Sequence, residues 1–140
     1  MSELMKLRQD HADLARMFRQ LERIIEEPRA PSQLELFEFR RILMQTLIGH
    51  LKLEDWALYP RLIDSGDAEI SSAGRHFQEE MGGLAPAFLA YCDKWNANTI
   101  AADWPTYCGE TRGLLDALTD RLTRENRELL PLLERLDQAA

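Results

Sequence analysis

A chain of 140 residues is long enough for one hydrophobic core and too short for two, so residues 1–140 are expected to form a single domain. Its 45% hydrophobic and 29% charged residues are the composition of a soluble globular domain, which excludes disorder and a disulfide scaffold. A net charge of −7 and a pI of about 5.0 exclude nucleic acid and anionic membranes as expected partners, because phosphate contacts need clustered Lys and Arg.

The first apolar stripe runs Leu4, Leu7, His11, Leu14, Phe18, Leu21, Ile25 in steps of three and four, the seam of a bundle helix with His11 set into it. Glu27-Pro28-Arg29-Ala30-Pro31 breaks this helix, and Ser32 with Glu35 three residues on is a capping box that opens a second, from about Gln33 to about Ile63. Asp64-Ser65-Gly66-Asp67 carries turn chemistry. A third helix is expected from about Ile70 to Trp95, loosened by Gly82-Gly83 and Pro86. Asn96 to Ala102 reads as a connection, after which Asp103 caps a fourth helix with Pro105 in its first turn, reaching about Leu136. Four long helices with short connections predict an all-α, up-down-up-down antiparallel four-helix bundle. No apolar run approaches the roughly 20 residues of a membrane span, and Met1 to Asp10 lacks a secretory apolar segment, so a cytoplasmic protein is expected. Cys92 and Cys108 have no zinc-type spacing and are expected to be reduced thiols without a function.

Helices two and four are partial repeats. A shift of 71 positions pairs Leu43 with Leu114, Leu47 with Leu118, Leu51 with Leu122, Glu54 with Glu125, Leu58 with Leu129, Pro60 with Pro131 and Leu62 with Leu133. The same shift sets Arg121 where His50 would recur. His50 and Glu54 lie four apart on the leucine face of helix two, where desolvation penalises an ionisable pair that is neither paired nor metal-bound. Helix three repeats the spacing with His76 and Glu80, and helix four adds Arg121 and Glu125. Converging at one level, these side chains and His11 suit iron, manganese or zinc, and four-helix bundles are known hosts of two-metal carboxylate sites.

The stretches "DHADLARMFRQLE", "HLKLEDWALYPRL", "HFQEEM" and "RLTRENRELLPLLERL" together resemble the hemerythrin-like, His-His-Glu cation-binding family over nearly the whole chain. The resemblance implies metal ligands at His11, His50, Glu54, His76, Glu80 and Glu125, with iron as one ion or a pair, and a non-haem protein that binds or senses oxygen, nitric oxide or iron. Two departures bear on how much iron is held: Arg121 stands at a ligand histidine, and Glu80 where oxygen-carrying members have a further histidine.

A guanidinium at 121 also supports a second reading, in which it bridges Glu54, Glu80 and Glu125 in place of metal and the bundle is a metal-free interaction or regulatory module. A third, histidine phosphotransfer through His50, is weakened by the buried seam around it. A protein partner or homodimer stays open. No nucleophile–base pair, phosphate loop or nucleotide motif is present, so enzyme activity is not expected. Trp56, Tyr59, Trp95, Trp104 and Tyr107 are expected to pack at helix ends.

Overall fold

The computed structural model describes residues 2–139; Met1 and Ala140, the ends of the expected domain, lie outside the described residues. Ser2 starts α1 (Glu3–Glu26) by accepting a hydrogen bond from the Met5 N–H at 3.1 Å, satisfying one of the orphan donors of a helix start. The residues that α1 buries are those of the sequence stripe, Leu7, His11, Leu14, Phe18, Leu21 and Ile25. Ser32 does the same for α2, accepting from Glu35 N–H at 3.2 Å. Helix α2 is one rod over residues 33–63, made of Gln33–Leu53, a widened π-helical turn Glu54–Leu58 and Tyr59–Ile63.

The expected third helix is two. It divides into α3 (Ala68–Met81) and α4 (Leu84–Lys94) at the glycine pair. At Gly82 a Cβ would meet the Gln78 carbonyl oxygen at 2.6 Å, so the backbone here takes a path that a side chain would obstruct. Pro86 falls in the first turn of α4, where its missing N–H leaves no helical bond unmade. The expected connection from Asn96 to Ala102 is instead a short helix, α5 (Ala97–Ala102). The Asn96 side chain accepts from Thr99 N–H while the Thr99 hydroxyl accepts from Asn96 N–H, a capping box read past in the sequence. Asp103 then caps α6 (residues 104–139: Trp104–Arg124, a π-helical turn Glu125–Leu129, and Leu130–Ala139).

The two widened turns sit at equivalent places in the repeat. In each, an N–H reaches back five residues rather than four, Tyr59 to Glu54 and Leu130 to Glu125, and a proline follows at once. Pro60 and Pro131 have no N–H to give and their rings would strike the carbonyl four residues back, so the ladder opens by one residue just before them. The extra residue lets neighbours in sequence, Leu58 with Tyr59 and Leu129 with Leu130, all be buried.

Cross-links set the helix directions. Trp104 donates its indole N–H to the Glu27 carbonyl, and Arg8 pairs with Glu134, so α1 runs against α6. Arg61 bonds Glu3 at the far end of α1, so α1 runs against α2 as well. Glu69 meets Arg135 and Glu80 meets Arg124, so α3 runs against α6. The fold is all-helical, with no strand among the described residues, and no described helix is long and apolar enough to cross a membrane.

The apolar core is in two blocks. One holds Leu14, Phe18, Leu43, Leu47, Leu118 and Leu122 and extends to Trp95, Trp104 and Tyr107. The other holds Leu7, Leu58, Leu62, Phe77, Leu129 and Leu133. Between them, at His11, His50, Glu54, Arg121 and Glu125, the buried residues are polar.

Candidate metal centre

Three rods supply this polar level, and each places its residue by ordinary seam periodicity. His11 follows Leu7 on α1, His50 and Glu54 lie between Leu47 and Leu58 on α2, and Arg121 and Glu125 lie between Leu118 and Leu129 on α6. All five are at most 3% exposed. His11 Nε2 is 3.3 Å from Glu54 Oε2 and 3.4 Å from Glu125 Oε1, and His50 Nε2 is 3.2 Å from Glu54 Oε1. One ligand atom from each of His11, His50, Glu54 and Glu125 lies within 4.8 Å of the other three.

An outer ring fixes these groups. His11 donates from Nδ1 to the Asn126 side-chain oxygen at 2.6 Å, and His50 donates from Nδ1 to Asp10 at 3.3 Å. A proton held on the outer nitrogen turns the inner Nε2 of each ring toward the centre, the arrangement by which second partners orient metal-binding histidines. Tyr59 donates its hydroxyl to Glu125 Oε2 at 2.7 Å. Arg121 donates to Glu54 Oε1 at 3.0 Å, to Asp55 at 3.5 Å and to the Met81 carbonyl at 3.1 Å, with its guanidinium 5.6 Å from the Tyr59 ring centre and its Nε 3.5 Å from Glu125 Oε2.

The electrostatics follow from this crowding. Burial opposes charge on His11, but hydrogen bonds to Glu125 and Glu54 outweigh it and push its pKa up to about 10. Burial likewise works against ionised Glu54, yet His11 and His50 hold it well below the usual carboxylate range. Glu125 goes the other way: burial and the neighbouring charge of Glu54 push it up to about 7, so the two carboxyl groups divide the roles of anion and proton carrier. Burial and Glu125 raise Tyr59, which therefore stays a neutral donor. Arg121 is held charged, the penalty of burial being overcome by Glu54 and Glu125.

His76 and Glu80 are elsewhere. The residues that α3 turns inward are Ile70, Gly74, Phe77 and Met81, which leaves His76 one position off that face, 66% exposed and 3.0 Å from Glu80. Arg124 grips the Glu80 carboxylate with both terminal nitrogens, so of the three carboxylates that the metal-free reading joins through Arg121 only Glu54 and Glu125 lie beside it. Trp56 is 74% exposed rather than packed, since the widened turn faces it outward beside Lys52. Asp10, Asn126 and Tyr59 escaped the sequence reading. For Asp10 and Asn126 nothing but adjacency to a ligand marks them, whereas Tyr59 lay in view in the aromatic-proline pair that follows His50 and Glu54.

The Hemerythrin HHE cation-binding domain is matched over residues 4–133. The chain belongs to this family. No curated protein and no solved structure matches it. For a hemerythrin-type cation the donor set is suitable, two imidazole nitrogens and two carboxylates that a borderline divalent ion accepts. His50 Nε2 and Glu125 Oε1 are buried and make no well-aligned hydrogen bond, although Glu54 Oε1 lies 3.2 Å from the first and His11 Nε2 3.4 Å from the second, and a cation at the centre would satisfy both.

Proposed function

We propose that this HHE-domain protein binds one iron ion through His11, His50, Glu54 and Glu125, and that Arg121 makes the site a degenerate one by standing where a second ion would be held. The observation that carries the proposal is the convergence of ligand atoms from His11, His50, Glu54 and Glu125 within 4.8 Å, with His50 Nε2 and Glu125 Oε1 making no well-aligned hydrogen bond there. When bound, the ion supplies a redox-active Lewis acid able to take a small diatomic ligand such as oxygen or nitric oxide. The chain's own residues do the rest. Asn126 and Asp10 orient the imidazoles, Tyr59 aims Glu125, and the flanking leucine blocks exclude water from the level of the site.

Sensing or binding without turnover belongs to the proposal, since no nucleophile stands beside a free base in the cluster. So do a cytoplasmic setting and a four-rod, up-down-up-down bundle in which α3 and α4 count as one rod interrupted at Gly82-Gly83.

Iron analysis of protein purified with iron supplied tests the reading. One iron per chain is expected, lost from Glu54→Gln and His50→Ala. Two tightly held irons with the absorption of a coupled pair, or none under saturating iron, would overturn it.

A metal-free reading has one observation in its favour. Charged His11 and Arg121 already face Glu54 and Glu125, so the buried charge is close to balanced without an ion. Under that reading the Arg121→His variant binds no more iron than the parent and is less stable.

A further inference from the structure

The ligand atoms are sealed from solvent, so an ion needs a way in. On the seam of α1 and α6 a recess of about 310 Å³ is lined by Ala15, Thr119 and Leu122 and has His11 and Asn126 among its walls. It adjoins a second recess of about 500 Å³ that shares Phe18, Glu22, Thr119 and Thr123 with it and continues toward Asp116 and Asp120. The carboxylates of Glu22, Asp116 and Asp120 outnumber the guanidiniums of Arg19 and Arg112 along this groove, which favours a cation within it. Ala15 lies four residues beyond His11 on the same helix face, and both line the recess. One hydrogen bond, from His11 Nδ1 to Asn126, holds that imidazole from the groove side.

We propose that the α1–α6 groove is the path by which the metal ion enters and leaves, and that the His11–Asn126 pair is its gate. The inference rests on the metal-binding reading above. Breaking the bond to Asn126 removes the hold on the groove side, and a ring that then exchanges its contacts with Glu54 and Glu125 for the groove opens the centre with α2 and its two ligands in place. A path changes rates in both directions and leaves the equilibrium alone, and this distinguishes it from a ligand.

Cobalt(II) uptake and its stripping by excess EDTA, followed by absorption, test the proposal beside an equilibrium titration. Ala15→Leu fills the recess beside His11, and it is expected to slow uptake and stripping by the same factor, about tenfold, with Kd and the amount bound unchanged. Thr119→Leu narrows the groove from the α6 side and serves where Ala15→Leu does not fold. Ala90→Leu, on the exposed face of α4, should leave both rates as they are. Asn126→Ala loosens the gate and should speed uptake and stripping alike, by about tenfold; faster stripping with slower or unchanged uptake would make Asn126 only an orienting partner of His11 and overturn its part as gate. If the parent binds one cobalt but both plugged variants exchange it at the parent's rate, or Ala90→Leu slows exchange as much as they do, the path is wrong and the metal site stands. If the parent binds no cobalt at saturation, the site and the path fall together.

Discussion

Arg121 lies between two carboxylates that burial has stripped of water, and its removal shows what it does there. In metal-free protein Arg121→Leu strands Glu54 and Glu125 together, which should cost about 3–5 kcal/mol at pH 7 in urea denaturation. Part of that loss should return toward pH 5 as the carboxyl groups take up protons; an unchanged midpoint at both pH values would mean that Arg121 supports neither. His11 gives the metal-free parent an alkaline limit. Its proton is held more tightly in the fold, with a pKa of about 10 against an ordinary 6.5, so the stabilisation is complete below pH 6.5 and is lost as the pH rises to 10. Glu54, with its pKa lowered, contributes above its ordinary 4.5, a contribution lost as the pH falls through the folded value. We expect the metal-free midpoint to drop between pH 7 and pH 10 and the His11→Gln variant to show a flatter alkaline limb. His76 behaves as a surface residue: His76→Ala should leave iron content as it is and shift stability by less than about 0.5 kcal/mol, and lost iron in that variant would bring α3 back into the site.

The helices differ in how plainly their sequences announce them, and α3 shows where the signal fails. It packs on the end of α2 through Gly74, where a Cβ would lie 3.0 Å from the Leu62 Cβ. Gly74→Leu should therefore cost about 1–3 kcal/mol by overpacking while the iron content of the folded fraction stays at the parent's level, because α3 supplies no ligand to the cluster. The leucine stripes of α1, α2 and α6 and the caps at Ser32 and Asp103 were legible because period and capping are local properties of the chain. The inward face of α3 was not, since Gly74 interrupts the apolar stripe of Ile70, Phe77 and Met81 and the spacing of His76 and Glu80 imitates that of His50 and Glu54. Four of the six expected ligands converge for the same reason, each lying in a clear leucine seam. The bond from Tyr59 to Glu125 joins residues 66 apart in sequence, a pairing that no local pattern carries. The widened turns were half visible, as repeated prolines whose effect on the ladder only the structure supplies.

For the molecule as a whole, binding and folding are one equilibrium, because the ligands come from three helices and converge only when those helices are packed. At iron concentrations about a hundredfold above Kd the folded state should gain about 2.7 kcal/mol, read as a rise in denaturation midpoint that a chelator reverses. A midpoint indifferent to iron and chelator would separate the fold from metal altogether. The paired widened turns carry a different consequence. Each is a phase change: the apolar stripe above Glu54 and the one below it are out of step by one residue, as are the stripes on either side of Glu125, and the polar level occupies the two joints. Loss of a single residue such as Ala57 would close the turn to a regular ladder and leave Tyr59 and Leu62 facing the core, whereas loss of one from the regular ladder before it, such as Gly49, would rotate everything beyond by about 100° and swing His50 and Glu54 off the polar level. Length is thus fixed most strictly in the regular turns that carry the ligands, and the two widened turns are the places where one residue can be spared.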